Sequence, residues 1–297
     1  MSDAVLSSAR ARGPLARFGS WFREDPILAI ALFVGIGILV VAVLAPWITP
    51  FDPDKQTLLA RLKPPIGLPG ARPDHWLGTD QLGRDMLARV LIGLQLTLAL
   101  ALFGAVVGLF LGALIGVVSG LSGGLVDDVL MASVDIVISF PFLLVALLVV
   151  ALAGATIPVL VIVLGLAYWA HFARLIRAQV LALRNLPYVE AARASGAGPL
   201  RIALRHMLPN IVSPVIVMFT LNVSNLILLE SSLSFLGLGV QPPTASLGSM
   251  VGNGRDYMAT APWIVAVPAV VIVLVALVVM LIGDGLRDRF DVKLRDR

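Results

Sequence analysis

The chain has 297 residues, 59% of them hydrophobic and 13% charged, with a mean hydropathy of +0.97. Soluble domains carry about a quarter charged residues, so this composition excludes a soluble globular protein and predicts a polytopic membrane protein. The net charge of +4 fits an excess of Lys and Arg on one side of a membrane and needs no nucleic-acid partner. The lack of cysteine excludes thiolate sites of any kind.

The first apolar run, Ile27–Val43, is longer than the core of a signal peptide and has no small-residue cleavage site, so it reads as a retained anchor. A spanning helix needs roughly 20 mostly apolar residues. Six segments qualify: 27–48, 93–118, 129–153, 156–175, 210–236 and 263–283. An even number of spans puts both termini on one side. Of the 22 Lys and Arg residues, fifteen fall in the two tails and in the segment 174–205, and seven fall on the opposite face. The positive-inside rule therefore predicts cytoplasmic tails.

The predicted organisation is a cytoplasmic tail over 1–26, a first span over 27–48 and an extracytoplasmic loop over 49–92. A five-helix core over 93–286 and a second tail over 287–297 complete it. The loop is rich in proline. From Thr79 it reads TDQLGRDMLARVL, which predicts a short interfacial helix capped by Thr79 or Asp80. The second outer loop, 237–262, is rich in glycine and proline and predicts an irregular cap. Trp47 and Trp263 fall at the two outer boundaries, where amphipathic rings prefer to sit.

Helix two carries glycine at every fourth position: Gly104, Gly108, Gly112, Gly116, Gly120 and Gly124. Four residues is slightly more than one turn, so these form a slowly drifting ridge without side chains. Such a ridge admits another helix at close range. It serves either packing within the chain or an interface with a partner subunit.

The polar stretch Tyr188–Asn210 reads YVEAARASGAGPLRIALRHMLPN. Pro187 fits the first turn of a helix, where its missing N–H is harmless. Glu190 follows where the helix dipole favours an anion. Ala191, Ala192, Ala194 and Ser195 keep this helix thin, and Gly196 can adopt the left-handed conformation that ends it. Gly198 and Pro199 open a second helix, and Pro209 is read as its end. Leu200, Leu204 and Leu208 repeat every four residues, with Arg201 and Arg205 on the same general surface. Such a hairpin either enters a groove on a partner or rests on the bilayer surface.

The pattern Glu190-Ala191-Ala192, Gly196, Leu208-Pro209 resembles the EAA loop of ABC-type importer permeases. His206 matches the RHxLPN variant of the peptide branch. His75–Gly93, HWLGTDQLGRDMLARVLIG, is similar to the sequence before that branch's second span, and Leu233–Pro243, LSFLGLGVQPP, to the outer end of its fifth. The resemblance runs from about residue 20 to 290. Gln95 and Leu247 depart from it, standing where Arg and Trp are common.

This resemblance implies an all-α fold of six transmembrane helices, the type I importer permease fold, in a bacterial or archaeal cytoplasmic membrane. It implies the permease subunit of a dipeptide, oligopeptide or nickel importer, paired with a homologous second permease. Two cytoplasmic ATPase domains and an extracytoplasmic substrate-binding protein complete such a complex. The loop 176–209 would couple to the ATPases through Tyr188, Glu190, Ala191, Ala192, Ser195, Gly196, Leu200 and Arg201. ATP and magnesium would bind to the ATPases, with no cofactor on this chain. In agreement, the chain has no G-x-x-x-x-G-K-[ST], so it is expected not to hydrolyse ATP itself.

Two carboxylates fall inside predicted spans, Asp135 and Glu230. Intramembrane acids are costly, which makes both candidates for the translocation path or for buried helix–helix hydrogen bonds. Ser122 within Gly120–Gly124 fits G-x-S-x-G, with His171 as an imaginable base. The hydrolase elbow needs a strand-to-helix turn, however, and here the context is a turn between two spans. His75, His171 and His206 are scattered without metal-binding spacing. An ion-driven secondary carrier is the other transport class. Such carriers show inverted repeats and broken helices, and neither is evident in the sequence.

Overall fold

The computed structural model describes residues 25–295, and within these every regular element is helical. Five helices are long and apolar enough to cross a bilayer, or six if one sharply bent pair is counted as a span. The tail 1–26 lies outside the described residues up to 24.

Helix α1, Pro26–Ile48, begins where the Asp25 carboxylate accepts a hydrogen bond from the Leu28 amide at 3.0 Å. Its 23 residues rise about 34 Å, enough for the hydrocarbon layer. Gly35 lets α1 approach Val278 and Ile282 of the last helix, while most of its outer face stays exposed.

The loop 49–85 folds as a lobe, with a single 3-10 turn at Leu58–Ala60. The expected cap at Thr79 or Asp80 is replaced by Asp85, which accepts from the Ala88 amide at 2.8 Å. Left-handed turns at Gly78 and Gly83 fold the chain back before the helix can start. Thr79 is consumed inside the lobe by the Ala60 carbonyl and the Lys63 amide. Asp80 binds the amides of Leu82 and Arg84 and the Arg84 guanidinium. There is no separate interfacial helix, because α2 runs unbroken over Met86–Ser122, about 55 Å.

Helix α2 packs along α5, Ile157–Leu183, over nearly its full length. The glycine ridge makes this approach feasible. A Cβ added at Gly108 would lie 2.8 Å from the Gly165 carbonyl, and one at Gly116 would lie 2.7 Å from that of Ala173. Gly104, Gly112 and Gly120 face Leu164, Phe172 and Val180 in the same way. The ridge stops at Gly120: Gly124 opens the next helix at φ +54° with nothing within 4 Å.

The expected span 129–153 is two helices, α3 (Gly124–Ser139) and α4 (Phe142–Ala153), bent by 87°. Pro141 drives Phe140 into an extended conformation, which breaks the helix. The expectation of unbroken helices is thus corrected by a proline inside an apolar run.

After α5 comes the hairpin, α6 (Pro187–Ala194) and α7 (Pro199–Ile202). A wider π-type turn at Ala203–Met207 then leads into α8, Leu208–Phe235. Pro209 therefore does not end the second hairpin helix. It lies in the first turn of α8, where a missing N–H costs nothing. The outer loop 237–262, expected to be irregular, contains α9 (Leu247–Gly254). Ser246 and Ser249 cap it reciprocally, side chain to backbone. The last helix, α10, spans Trp263–Arg295, and Trp263 donates to the Thr79 carbonyl at 3.2 Å, tying it to the lobe.

Candidate functional site

The hairpin is attached by its inner face. Val189 and Ile202 are buried in one cluster with Phe172, Ile176 and Val180 of α5, Met207 and Ile211. Helix α6 ends in a Schellman arrangement: the Gly196 amide bonds the Arg193 carbonyl, and the Ala197 amide bonds that of Ala192. This requires the left-handed conformation at Gly196, where φ is +81°. Ser195 returns its hydroxyl to the Ala191 carbonyl at 2.8 Å.

The outer face is left open. Tyr188, Glu190, Ala191, Leu200 and Arg201 are exposed, Leu200 to 70%. Ala192 is half-buried. The inward residues of the second helix are Ile202, Ala203 and Met207, so the leucine repeat points away from the protein.

Beneath the hairpin an ion pair fastens three helices. Arg177 of α5 grips Asp127 of α3 through Nε and Nη2, both at 2.6 Å. Ser119 of α2 donates to the same carboxylate. Arg184 adds a bond to the Gly120 carbonyl at 3.3 Å. Sequence reasoning missed this clamp, since partners 50 positions apart leave no periodic signal. A cleft of about 510 Å³ lies beside it, lined by Leu121, Arg184, Asn185, Arg193, Pro199 and Ile202.

The two membrane carboxylates have different surroundings and are not brought together. Asp135 is open, its side chain 62% exposed, and pairs with Arg174 of α5 at 2.6 Å. Glu230 is enclosed at the opposite end of the bundle. It accepts from Ser234 at 2.7 Å and from Thr97 of α2 at 3.4 Å. Ser234 lies 3.2 Å from the cap hydroxyl of Ser246, and Thr97 accepts from the Leu247 amide at 3.1 Å. Glu230 thus binds α2, α8 and α9 into one knot. Gly248 of α9 fits directly against Ser231 and Ser234.

Ser122 and His171 are not assembled into a catalytic pair. Phe172 faces Gly112, and Ser122 lies ten residues farther along α2, about 15 Å away. His171 instead meets the Tyr168 ring at 5.6 Å. Among the described residues no group of three His, Cys, Asp or Glu side chains is placed to hold a metal ion.

A bundle of this kind, with an anchored basic hairpin between its fourth and fifth spans, is that of a multi-pass membrane protein. Residues 112–296 match the family described as binding-protein-dependent transport system inner membrane component, and the chain belongs to that family. Residues 13–65 match the N-terminal transmembrane domain of oligopeptide transport permease C.

The chain is 35% identical to the dipeptide transport system permease protein DppC of Haemophilus influenzae, covering 99% of this chain and all of that one. It is 39% identical to the di/tripeptide transport system permease protein DppC of Pseudomonas aeruginosa, over 95% of this chain and 93% of the relative. It is 40% identical to the glutathione transport system permease protein GsiD of Shigella flexneri, over 98% and 94%. In fold it is similar to an inward-facing form of the MetNI methionine ABC transporter. There the TM-score is 0.55 and the identity 20%, over 68% of this chain and 97% of the other. The family and the curated relatives group the chain with inner-membrane permeases of binding-protein-dependent transport systems, not with ion-coupled carriers.

Proposed function

We propose that this chain forms half of the translocation path of an ATP-driven importer of di- or oligopeptides. The other half is a homologous second permease. Two ATPase domains dock on the hairpin side, where they hold ATP and magnesium, and a substrate-binding protein docks on the lobe side. The hairpin side is cytoplasmic, as the distribution of Lys and Arg supports. Both tails then lie in the cytoplasm. Having no P-loop, this chain is a transport subunit and not itself an ATPase.

One observation carries the reading. The hairpin is held from inside by Val189, Ile202 and Met207, while Glu190, Leu200, Leu204 and Arg201 are left facing outward. A partner that grips this outer face moves α5 and α8 with it. Closure of the ATPase pair would draw two such hairpins together, and the packed bundle would convert that motion into opening toward the binding protein. The exposed Asp135 borders the passage, whereas Glu230 secures its outer end.

The test has two parts. Gly196→Trp strains a left-handed position and adds bulk to the docking face. It is expected to leave ATP hydrolysis running while uptake falls. Normal transport by this variant would remove the hairpin from the coupling path. A cysteine placed at Ala194 must also resist impermeant reagents in intact cells. Labelling from outside would invert the topology and defeat the proposal.

A further inference from the structure

Helix α5 has two unlike faces. Gly165, Trp169, Phe172 and Ile176 meet the glycine ridge of α2. The far side of α2 exposes Phe103, Val106, Phe110 and Leu114, and no charged residue occurs between Arg89 and Asp127. That far side has the chemistry of a lipid-facing surface. Residues nine apart on a helix lie about 180° around it, so Arg174 is opposite Gly165. His171 lies about 200° from Trp169 by the same count. Both therefore point away from α2 and from its lipid face, and both are exposed.

Asp135 of α3 joins them. Its carboxylate and the Arg174 guanidinium are 2.6 Å apart, with side chains 62% and 49% exposed. Counted from Ile157, Arg174 lies 17 residues and about 25 Å along the axis, at the hairpin-side edge of a hydrocarbon layer of about 30 Å. Open charges at that depth are costly against lipid and belong on a wet surface. Glu190 is the sole carboxylate between Asp135 and Glu230 in sequence, and it sits on the outward face of the hairpin.

We infer that this face of α5, with Asp135, lines the aqueous passage, and that the Arg174–Asp135 pair receives the opposite terminal charges of a zwitterionic cargo. Arg174 takes a carboxylate in bidentate fashion, and Asp135 takes an ammonium group. Each exchanges its neighbour for a ligand charge, so neither is left unpaired while cargo is present. When the passage is empty, the two charges neutralise each other. The inference rests on the peptide reading above and specifies the cargo contact within it.

The natural absence of cysteine allows a direct test in the assembled complex with its binding protein. Single-cysteine variants His171→Cys and Phe110→Cys are treated with a small hydrophilic methanethiosulfonate. His171→Cys is expected to react faster and to be slowed during dipeptide transport. Equal rates at the two positions would overturn the wet face.

Uptake is then compared for a free dipeptide and for analogues capped at either end, each first shown to bind the binding protein. Loss of one charged hydrogen bond is worth about tenfold or more. Arg174→Gln is expected to cost about that for the free peptide and little for the C-amidated one, with only partial rescue by Arg174→Lys, which restores the charge but not the second hydrogen bond. Asp135→Asn should mirror this with the N-acetylated peptide. Equal losses for all three cargoes would make the pair a structural brace and sink the inference. A complex that hydrolyses ATP but moves no peptide would defeat the peptide reading instead, and the labelling rates would still decide whether this face is wet.

Discussion

A side chain at Gly112 separates α2 from α5. The Cβ of Gly112→Ala would lie 2.5 Å from the Trp169 carbonyl oxygen and 3.0 Å from the Ala173 amide nitrogen. Both are backbone atoms, so no rotamer change can relieve the contact. Restoring ordinary separation, near 3.5 Å, requires the helices to part by about 1 Å. A gap of that size forfeits about a quarter to a half of the dispersion energy of the atom pairs involved. The neighbouring contacts at Gly108 and Gly116 would open together with it.

Overpacking of this kind costs about 1–3 kcal/mol, against a helix-propensity gain for alanine of up to about 1 kcal/mol. We expect a net loss of about 1–2 kcal/mol for Gly112→Ala, and more for Gly112→Val, whose methyl groups meet the same wall. The assay is reversible SDS titration of the purified subunit in mixed micelles. Gly37→Ala is the control, because a Cβ there has nothing within 4 Å. If Gly112→Ala unfolds at the same midpoint as Gly37→Ala, which gains the same propensity without the clash, the ridge is not a packing surface.

Glu230→Gln keeps an acceptor for Thr97 and Ser234 and should shift stability by less than about 1 kcal/mol. Glu230→Leu removes the acceptor of both hydroxyls, leaving Ser234 to Ser246 and Thr97 to the Leu247 amide; it costs about 1–3 kcal/mol and speeds amide exchange in 246–254. Protection of that segment equal in both variants would show that the knot does not hold α9. Arg177→Ala leaves the buried Asp127 charge without its partner and should cost about 2 kcal/mol, discounted from the full buried-pair value because Arg177 is partly exposed. Removing Asp127 as well should recover part of this, and a double-mutant cycle with no coupling would argue against the clamp. Gly83→Ala places a Cβ on the Thr57 carbonyl at a left-handed position and should open the lobe to proteolysis within 49–85. Gly67→Ala, with open space around it, should cost only the backbone strain of about 1–2 kcal/mol. Equal resistance of the two variants would contradict this.

Much of the architecture was legible because a bilayer imposes few rules. Apolar runs near twenty residues located the spans, and the spacing of Gly104 to Gly120 marked a surface for close approach. The hairpin helices were readable from Pro187, Gly196 and Pro199, since proline and glycine constrain the backbone locally. Errors arose where local signals compete. Pro141 sits in an apolar run as continuous as any other, and hydropathy does not register a bend. Pro209 suits a helix start as well as a helix end, and only the winding of the preceding turn decides between them.

By itself, then, the order of residues determined a membrane bundle with a basic, glycine-broken hairpin, because polarity and backbone restriction act over a few neighbouring positions. The choice of partners was left to the tertiary structure. Asp135 meets Arg174 across 39 positions, Asp127 meets Arg177 across 50, and Glu230 reaches Thr97 across 133. Nothing periodic announces such pairs. The first two exist because the glycine ridge draws α5 against α2 beside α3, and the third because α8 and α9 close on the other end of α2; that packing decides which charges are enclosed and which face an open surface.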